Sequence, residues 1–246
     1  MPAWAVHHKN PEETKMTRLD QSTTVARIVT EHPAAARIFQ RHGIDYCCHG
    51  NVTVPEACLG GQIDPEALLA ELEAALAAND VRPEENPSAL STAALIAHII
   101  ERHHGYLRRA LPYIAPIMAK VAKVHGPRDA KLQDLHDAFR DLAASLGPHL
   151  DEEEEVLFPA LMARQPDARL LEREIRQMHA DHLTVGDLLA RIRALTVGFT
   201  TPEWGCNTYR VLMAELDGLE ADVLRHVHLE NHVLAPRFVG LATRAA

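Results

Sequence analysis

From Leu132 to Ala160 the apolar residues recur in alternating steps of three and four: Leu132, Leu135, Phe139, Leu142, Leu146, Val156 and Ala160. The two positions left between Leu146 and Val156 are His149 and Glu153. Residues so spaced share the helix face that packs into the core of a bundle. A histidine and a carboxylate therefore stand one turn apart in a seam that should be oil. An unpaired buried carboxylate is strongly destabilising, so the seam calls for a compensating charge, and a metal ion supplies one. The neighbouring Asp151, Glu152, Glu154 and Glu155 read as a solvated face.

Three further seams have the same build. Ala93, Ala97, Ile100, His104, Leu107, Leu111, Ile114 and Met118 form one. Leu171, Ile175, Met178, His182, Val185, Leu189 and Ile192 form another, and Leu212, Leu216, Leu219, Val223, His226, Glu230 and Val233 the last. One histidine in a seam is most often a hydrogen-bonded core residue. One in each of four seams, with glutamate four residues later in two of them, points to a shared metal site. The spacing does not separate His104 from His103, because Ile96, Ile99 and Tyr106 give His103 an apolar stripe as well. It rejects His98, His179, Glu152 and Glu155, which fall on polar faces. Imidazole with carboxylate suits iron, manganese or zinc, and six such residues are too many for one tetrahedral zinc. Di-iron bundles built on Glu-x-x-His differ from this pattern, where the order is His-x-x-x-Glu.

The fold class expected is all-α. Alanine and leucine dominate, and no stretch alternates as a strand does. Four long helices are predicted at 90–124, 129–164, 168–196 and 203–236, with Pro112, Pro116 and Pro148 as candidate kinks. Residues 17–78 read as a small helical module, with helices after Pro33, from Pro55 to Leu59 and after Asp64-Pro65. The polar, proline-rich stretch 79–89 reads as a linker on which that module can move, and 1–16 as a disordered extension. A net charge of -9 argues against nucleic acid or an anionic membrane as partner. No apolar run reaches membrane-spanning length and the N-terminus lacks a signal-peptide core, so a cytoplasmic location is expected.

Residues from about Leu95 onward resemble the hemerythrin-like domain, through H-x-x-x-E at 149 and 226 followed by E-E-V-L-F-P and E-N-H-V-L-A-P. The preceding module, with D-Y-C-C-H-G, is similar to the N-terminal part of the repair-of-iron-centres family. The resemblance covers about 17–238 and implies an up-down four-helix bundle behind the small module. It implies a non-haem di-iron centre, two iron ions with an oxo or hydroxo bridge, on His104, His149, Glu153, His182, His226 and Glu230. His49 departs from the family pattern, where glycine is common, and Ala235 replaces a frequent phenylalanine.

Of the four cysteines, Cys58 and Cys206 read as structural. Cys47 and Cys48 are candidates for thiol chemistry or iron transfer, since a bridge between them would be strained. The resemblance implies repair of iron–sulfur clusters damaged by nitric oxide or oxidative stress, with iron delivery favoured by the cysteine pair. Two other readings use the same residues: a nitric oxide or peroxide reductase, which would be an enzyme, and an oxygen-binding sensor or carrier. Damaged iron–sulfur proteins and small ligands such as nitric oxide or oxygen are the partners implied, and a homodimer is left open. Metal-binding histidines must be neutral, so metal-linked stability is expected to fade below about pH 6.

Overall fold

The computed structural model describes residues 19–20, 22–59, 61–78 and 86–238, and the stretches 1–16 and 79–85 lie outside them. Among the described residues there is no strand, only an isolated bridge between Thr24 and Thr53. No described helix is long and apolar enough to cross a membrane.

Four rods build the larger part. The first runs from α5 (Thr92–His98) through a π-helical turn (Ile99–His104) into α6 (Gly105–His125). The second is α7 (Lys131–Glu152), a π turn (Glu153–Leu157) and the short α8 (Phe158–Leu161). The third is α9 (Ala168–Leu195), unbroken, and the fourth is α10 (Asn207–His228) with a π turn (Leu229–Leu234). Ser91 caps α5 and Asp167 caps α9, each side-chain oxygen accepting from the first-turn amides. Short connections make the successive rods antiparallel, with α6 packed on α7 and α10, and α7 on α9. Pro112, Pro116 and Pro148 leave α6 and α7 continuous. All three are exposed, so the carbonyls they leave unpaired can take water.

The π turns shift the seams. Each is closed by a bond five residues long: Gly105 N–H to the Ile100 carbonyl, Phe158 to Glu153, and Ala235 to Glu230. Such a turn holds one extra residue, so the apolar face beyond it moves by one position. In the first rod Leu95, Ile96 and Ile99 are buried, while the expected Ala93 and Ala97 are exposed. In the second, Leu157, Phe158 and Leu161 are buried and Val156 and Ala160 only half so. The seam of α9 has no π turn and keeps its register, with all its expected members buried except the half-buried Ile175.

Among the described residues the small module holds four helices, α1 (Val25–Glu31), α2 (Ala35–Arg41), α3 (Val54–Cys58) and α4 (Pro65–Ala78). Sequence reasoning named no helix at α1, whose V-A-R-I-V-T run is rich in β-branched residues that disfavour helix. Burial of Val25, Ala26, Ile28 and Val29 overrides that preference. The module does not stand off on a tether. Phe39, Tyr46 and Leu72 belong to one continuous apolar cluster with Leu212 and Leu216 of α10. A buried clamp reinforces the contact: Gln40 of α2 donates to Glu220 (2.9 Å), and Arg193 of α9 holds the same carboxylate with two nitrogens, Nε at 2.8 Å.

Glu220 is nearly enclosed, so removal of Arg193 would leave a buried carboxylate with one amide donor. Arg193→Met should therefore lower the unfolding free energy by about 3 kcal/mol, read from urea denaturation. An unchanged midpoint would show that the clamp does not hold the module.

Candidate metal centre

His104, His149, Glu153, His182, His226 and Glu230 meet in one layer across the bundle, each no more than 5% exposed. His104 ends the first π turn, Glu153 opens the second and Glu230 lies in the third. His149 and His226 come from the last turns of α7 and α10, and His182 from the middle of α9. The layer separates two apolar clusters: Leu107, Leu146, Val185 and Val223 belong to one, Ile99, Leu157, Met178 and Val233 to the other.

The six residues form two overlapping groups, His104–Glu153–His226–Glu230 and His149–Glu153–His182–Glu230. Within each group the donor atoms lie within 4.8 Å of one another. The imidazoles pair by Nε2, at 3.1 Å for His104 and His226 and 3.2 Å for His182 and His149. Each glutamate turns one oxygen to each pair. Glu153 places Oε2 at 3.4 Å from His104 and Oε1 at 3.4 Å from His149. Glu230 places Oε1 at 2.9 Å from His226 and Oε2 at 3.2 Å from His182. Both oxygens of Glu153 and Oε2 of Glu230 are buried without a hydrogen bond of acceptable geometry. Orphaned carboxylate oxygens facing imidazole nitrogens fit a cation-binding pocket.

The residue after each glutamate reaches back to a histidine on another rod. Glu154 Oε1 accepts from His104 Nδ1 at 2.8 Å and is itself held by Arg108 at 3.0 Å. Asn231 Oδ1 accepts from His182 Nδ1 at 2.9 Å. Neither was singled out from sequence, and Glu154 was assigned to a solvated face. A π turn lessens the rotation between successive residues, so the position after a seam glutamate stays near the seam. The repeated order His-x-x-x-Glu-polar, at 149–154 and 226–231, was the available signal. His103, level with His104 in sequence reasoning, is buried but points elsewhere: its Nδ1 bonds Asp222 at 3.0 Å and its ring stacks on His226. His98 is half-buried and His179 exposed.

Without a cation the layer is held by protons. Burial pushes His226 down to about 3 and His149 down to about 4. Burial also opposes charge on His104 and His182, but there the carboxylates of Glu153 and Glu230 prevail and lift them to about 10 and about 9. Burial and then the charge of Glu230 raise Glu153 to about 8. Each imidazole pair thus has one protonated ring donating to a neutral one.

The cysteines fall in different surroundings. Cys47 is buried and Cys48 half-buried, their sulfurs 3.4 Å apart, and Cys58 is buried. Cys206 departs from the structural role expected of it. It is exposed just before α10, and contact with His125 at 3.3 Å, the main cause, with the helix amides lowers its thiol to about 7.

Residues 95–238 match the family model described as the hemerythrin HHE cation binding domain, which covers more than half of the chain, so a metal-binding bundle is the family's build. Residues 21–76 match the model ScdA_N, described as a domain of unknown function, DUF542. The iron-sulfur cluster repair protein ScdA of Staphylococcus haemolyticus is 35% identical over 222 residues, 89% of this chain and 99% of that protein. ScdA of Staphylococcus epidermidis is 34% identical over 85% of this chain and 95% of its own. The iron-sulfur cluster repair protein YtfE of Yersinia pseudotuberculosis is 32% identical over 83% of this chain and 91% of its own.

The raised histidines set the sign of the pH dependence. His104 and His182 lie above their ordinary value, so at neutral pH a cation must displace their protons, and that competition ends only as pH rises through about 9 to 10. The window lies higher than the ordinary histidine value implies. Divalent metal uptake at pH 7 should release roughly two to three protons, read by calorimetry in buffers of different ionisation enthalpy, and apparent affinity should climb from pH 6 to 9. A flat affinity across that range would rule this out.

Proposed function

We propose that this chain, which belongs to the family of iron-sulfur cluster repair proteins, serves such repair by holding two iron ions in the bundle and passing iron to damaged clusters through its cysteine loop. One observation carries the reading: two groups of two imidazoles share both carboxylates, each carboxylate turning one oxygen to each group. One cation would leave half of those donors unused, whereas two would engage all eight nearest atoms. The donor set fits iron, with borderline imidazole and hard carboxylate oxygen. When bound, iron would supply redox chemistry and binding of small ligands such as nitric oxide or oxygen.

The chain's own residues do the rest. Glu154 and Asn231 fix two rings by their Nδ1 atoms, so both present Nε2 to the centre. The two apolar clusters exclude bulk water above and below the layer. Delivery is favoured over reduction or oxygen carriage by the position of Cys47 and Cys48. The Cys47 carbonyl accepts from Asn231 Nδ2 at 2.9 Å, so the thiol loop and His182 share one side chain. Thiolates are good transient ligands for iron, and a carrier or reductase has no evident use for them there.

Glu153→Leu or Glu230→Leu should lower bound iron well below two per chain, and His179→Ala should leave it unchanged, measured by metal analysis. Cys47→Ala/Cys48→Ala should keep its iron yet fail to reactivate an iron–sulfur enzyme damaged by nitric oxide. Equal reactivation by that variant would remove the cysteines from the mechanism. Nitric oxide turnover without reactivation by the unaltered protein would favour the reductase.

A further inference from the structure

The turn Ile44–Gly50, between α2 and α3, folds two thiols and a carboxylate together against the bundle. Asp45 Oδ1 accepts from the amides of Cys47 and Cys48, both at 2.9 Å, and from the Cys47 thiol at 3.3 Å. Its other oxygen meets His49 Nδ1 at 2.7 Å. Gly50 lets the turn close on α1, for a Cβ there would collide with the Tyr46 carbonyl and with Ala26. Three side chains of the fourth rod pin the turn by its backbone: His228 Nδ1 on the Tyr46 carbonyl at 3.3 Å, and Asn231 Nδ2 and His232 Nε2 on the Cys47 carbonyl, both at 2.9 Å. The backbone that carries the thiols is therefore held in place by contacts that do not use sulfur.

Asp45, Cys47 and Cys48 each offer a donor atom within 4.8 Å of the others. Cys48 faces Gly186 of α9, where the absence of a side chain leaves space, and donates to the His182 carbonyl at 3.6 Å. The group opens onto a cavity of about 240 Å³ between the turn and α9. From this geometry we infer a third cation site, separate from the bundle's six residues, in which Cys47, Cys48 and Asp45 hold one thiophilic divalent cation with its remaining position toward the cavity. Two sulfurs and one carboxylate oxygen suit ferrous, zinc or cobaltous ions and discriminate against magnesium and calcium. Binding converts both thiols to thiolates and gives two protons to solvent, with no change of oxidation state. The inference extends the delivery reading by giving iron a place between the bundle and a client.

The test uses reduced full-length protein with Cys206→Ala, which removes the exposed thiol, already loaded with iron in the bundle. Anaerobic titration with cobaltous ion should add one further equivalent, with the near-ultraviolet charge-transfer absorption of thiolate–cobalt bonds. Asp45→Asn should weaken it by roughly tenfold or more. Cys47→Ala/Cys48→Ala should abolish both the equivalent and the band while iron and helical circular dichroism are kept. Cys48→Ser provides a milder check, with the band reduced. No further equivalent, one without thiolate absorption, or one that survives loss of both thiols would overturn the inference. These readouts are independent of cluster repair, so a failure of the delivery reading leaves them interpretable.

Discussion

Four imidazoles and two carboxylates sit in a layer that the rest of the bundle would otherwise fill with oil. That burial is the constraint on which this structure depends. Aliphatic side chains at those positions would give a more stable bundle, because desolvating two carboxylates opposes folding. The layer persists by compensating charge, from protons on His104 and His182 or from a cation held within a group of donors. The two kinds of charge compete for the same nitrogens, so metal occupancy, protonation and fold stability are coupled. The rods and their caps act to hold six donors at fixed separations.

The three π turns belong to the same economy. A regular α-helix would place Glu153 and Glu230 in the seam but would rotate Glu154 and Asn231 away from it. In the wider turn the glutamate and its successor both address histidines of the layer, one from within and one from behind. The gain in ring positioning is offset by poorer local helix geometry, which persists because Leu157, Phe158 and Leu234 are buried at the ends of the turns. The second and third turns are also followed by proline, Pro159 and Pro236, each six residues beyond its glutamate. Proline cannot make the amide bond of a regular helix, so that position suits a place where the ladder is already changed.

Periodicity made the four rods legible, and it was most reliable where the helix is regular. In α9 every seam position from Met178 to Ile192 is buried. It failed within or on the far sides of the π turns, at Ala93, Ala97, Val156 and Ala160, because a fixed step of three and four cannot register an inserted residue. It also could not rank His103 against His104, since both lie on apolar stripes and only tertiary structure shows which ring turns inward. The seating of the module was hidden for another reason. Linker composition reports on the segment itself, whereas docking depends on the apolar face of Phe39 and Tyr46 and on the pairing of Gln40, Arg193 and Glu220 across more than a hundred residues. Such long-range complementarity leaves no local pattern to read.

The histidines of the layer are backed differently, and one of them is tied to the cysteine turn. A carbonyl can only accept, so the bond to the Cys47 carbonyl requires Asn231 to present its nitrogen there and its oxygen to His182. His182 then carries its hydrogen on Nδ1 toward Asn231 and turns Nε2 to the layer. On the other side Glu154, a carboxylate, does the same for His104 and adds charge, which strengthens that ring as a donor. His104 is thus backed by a carboxylate anchored to Arg108, His182 by a neutral amide that depends on the docked turn, and His149 by Asp181, whose Oδ2 lies 3.6 Å from its Nδ1. The His149–His182 group is the one beside Cys48, whose sulfur touches the His182 carbonyl. A shift of the Cys47 carbonyl would therefore release Asn231 and loosen the ring of His182.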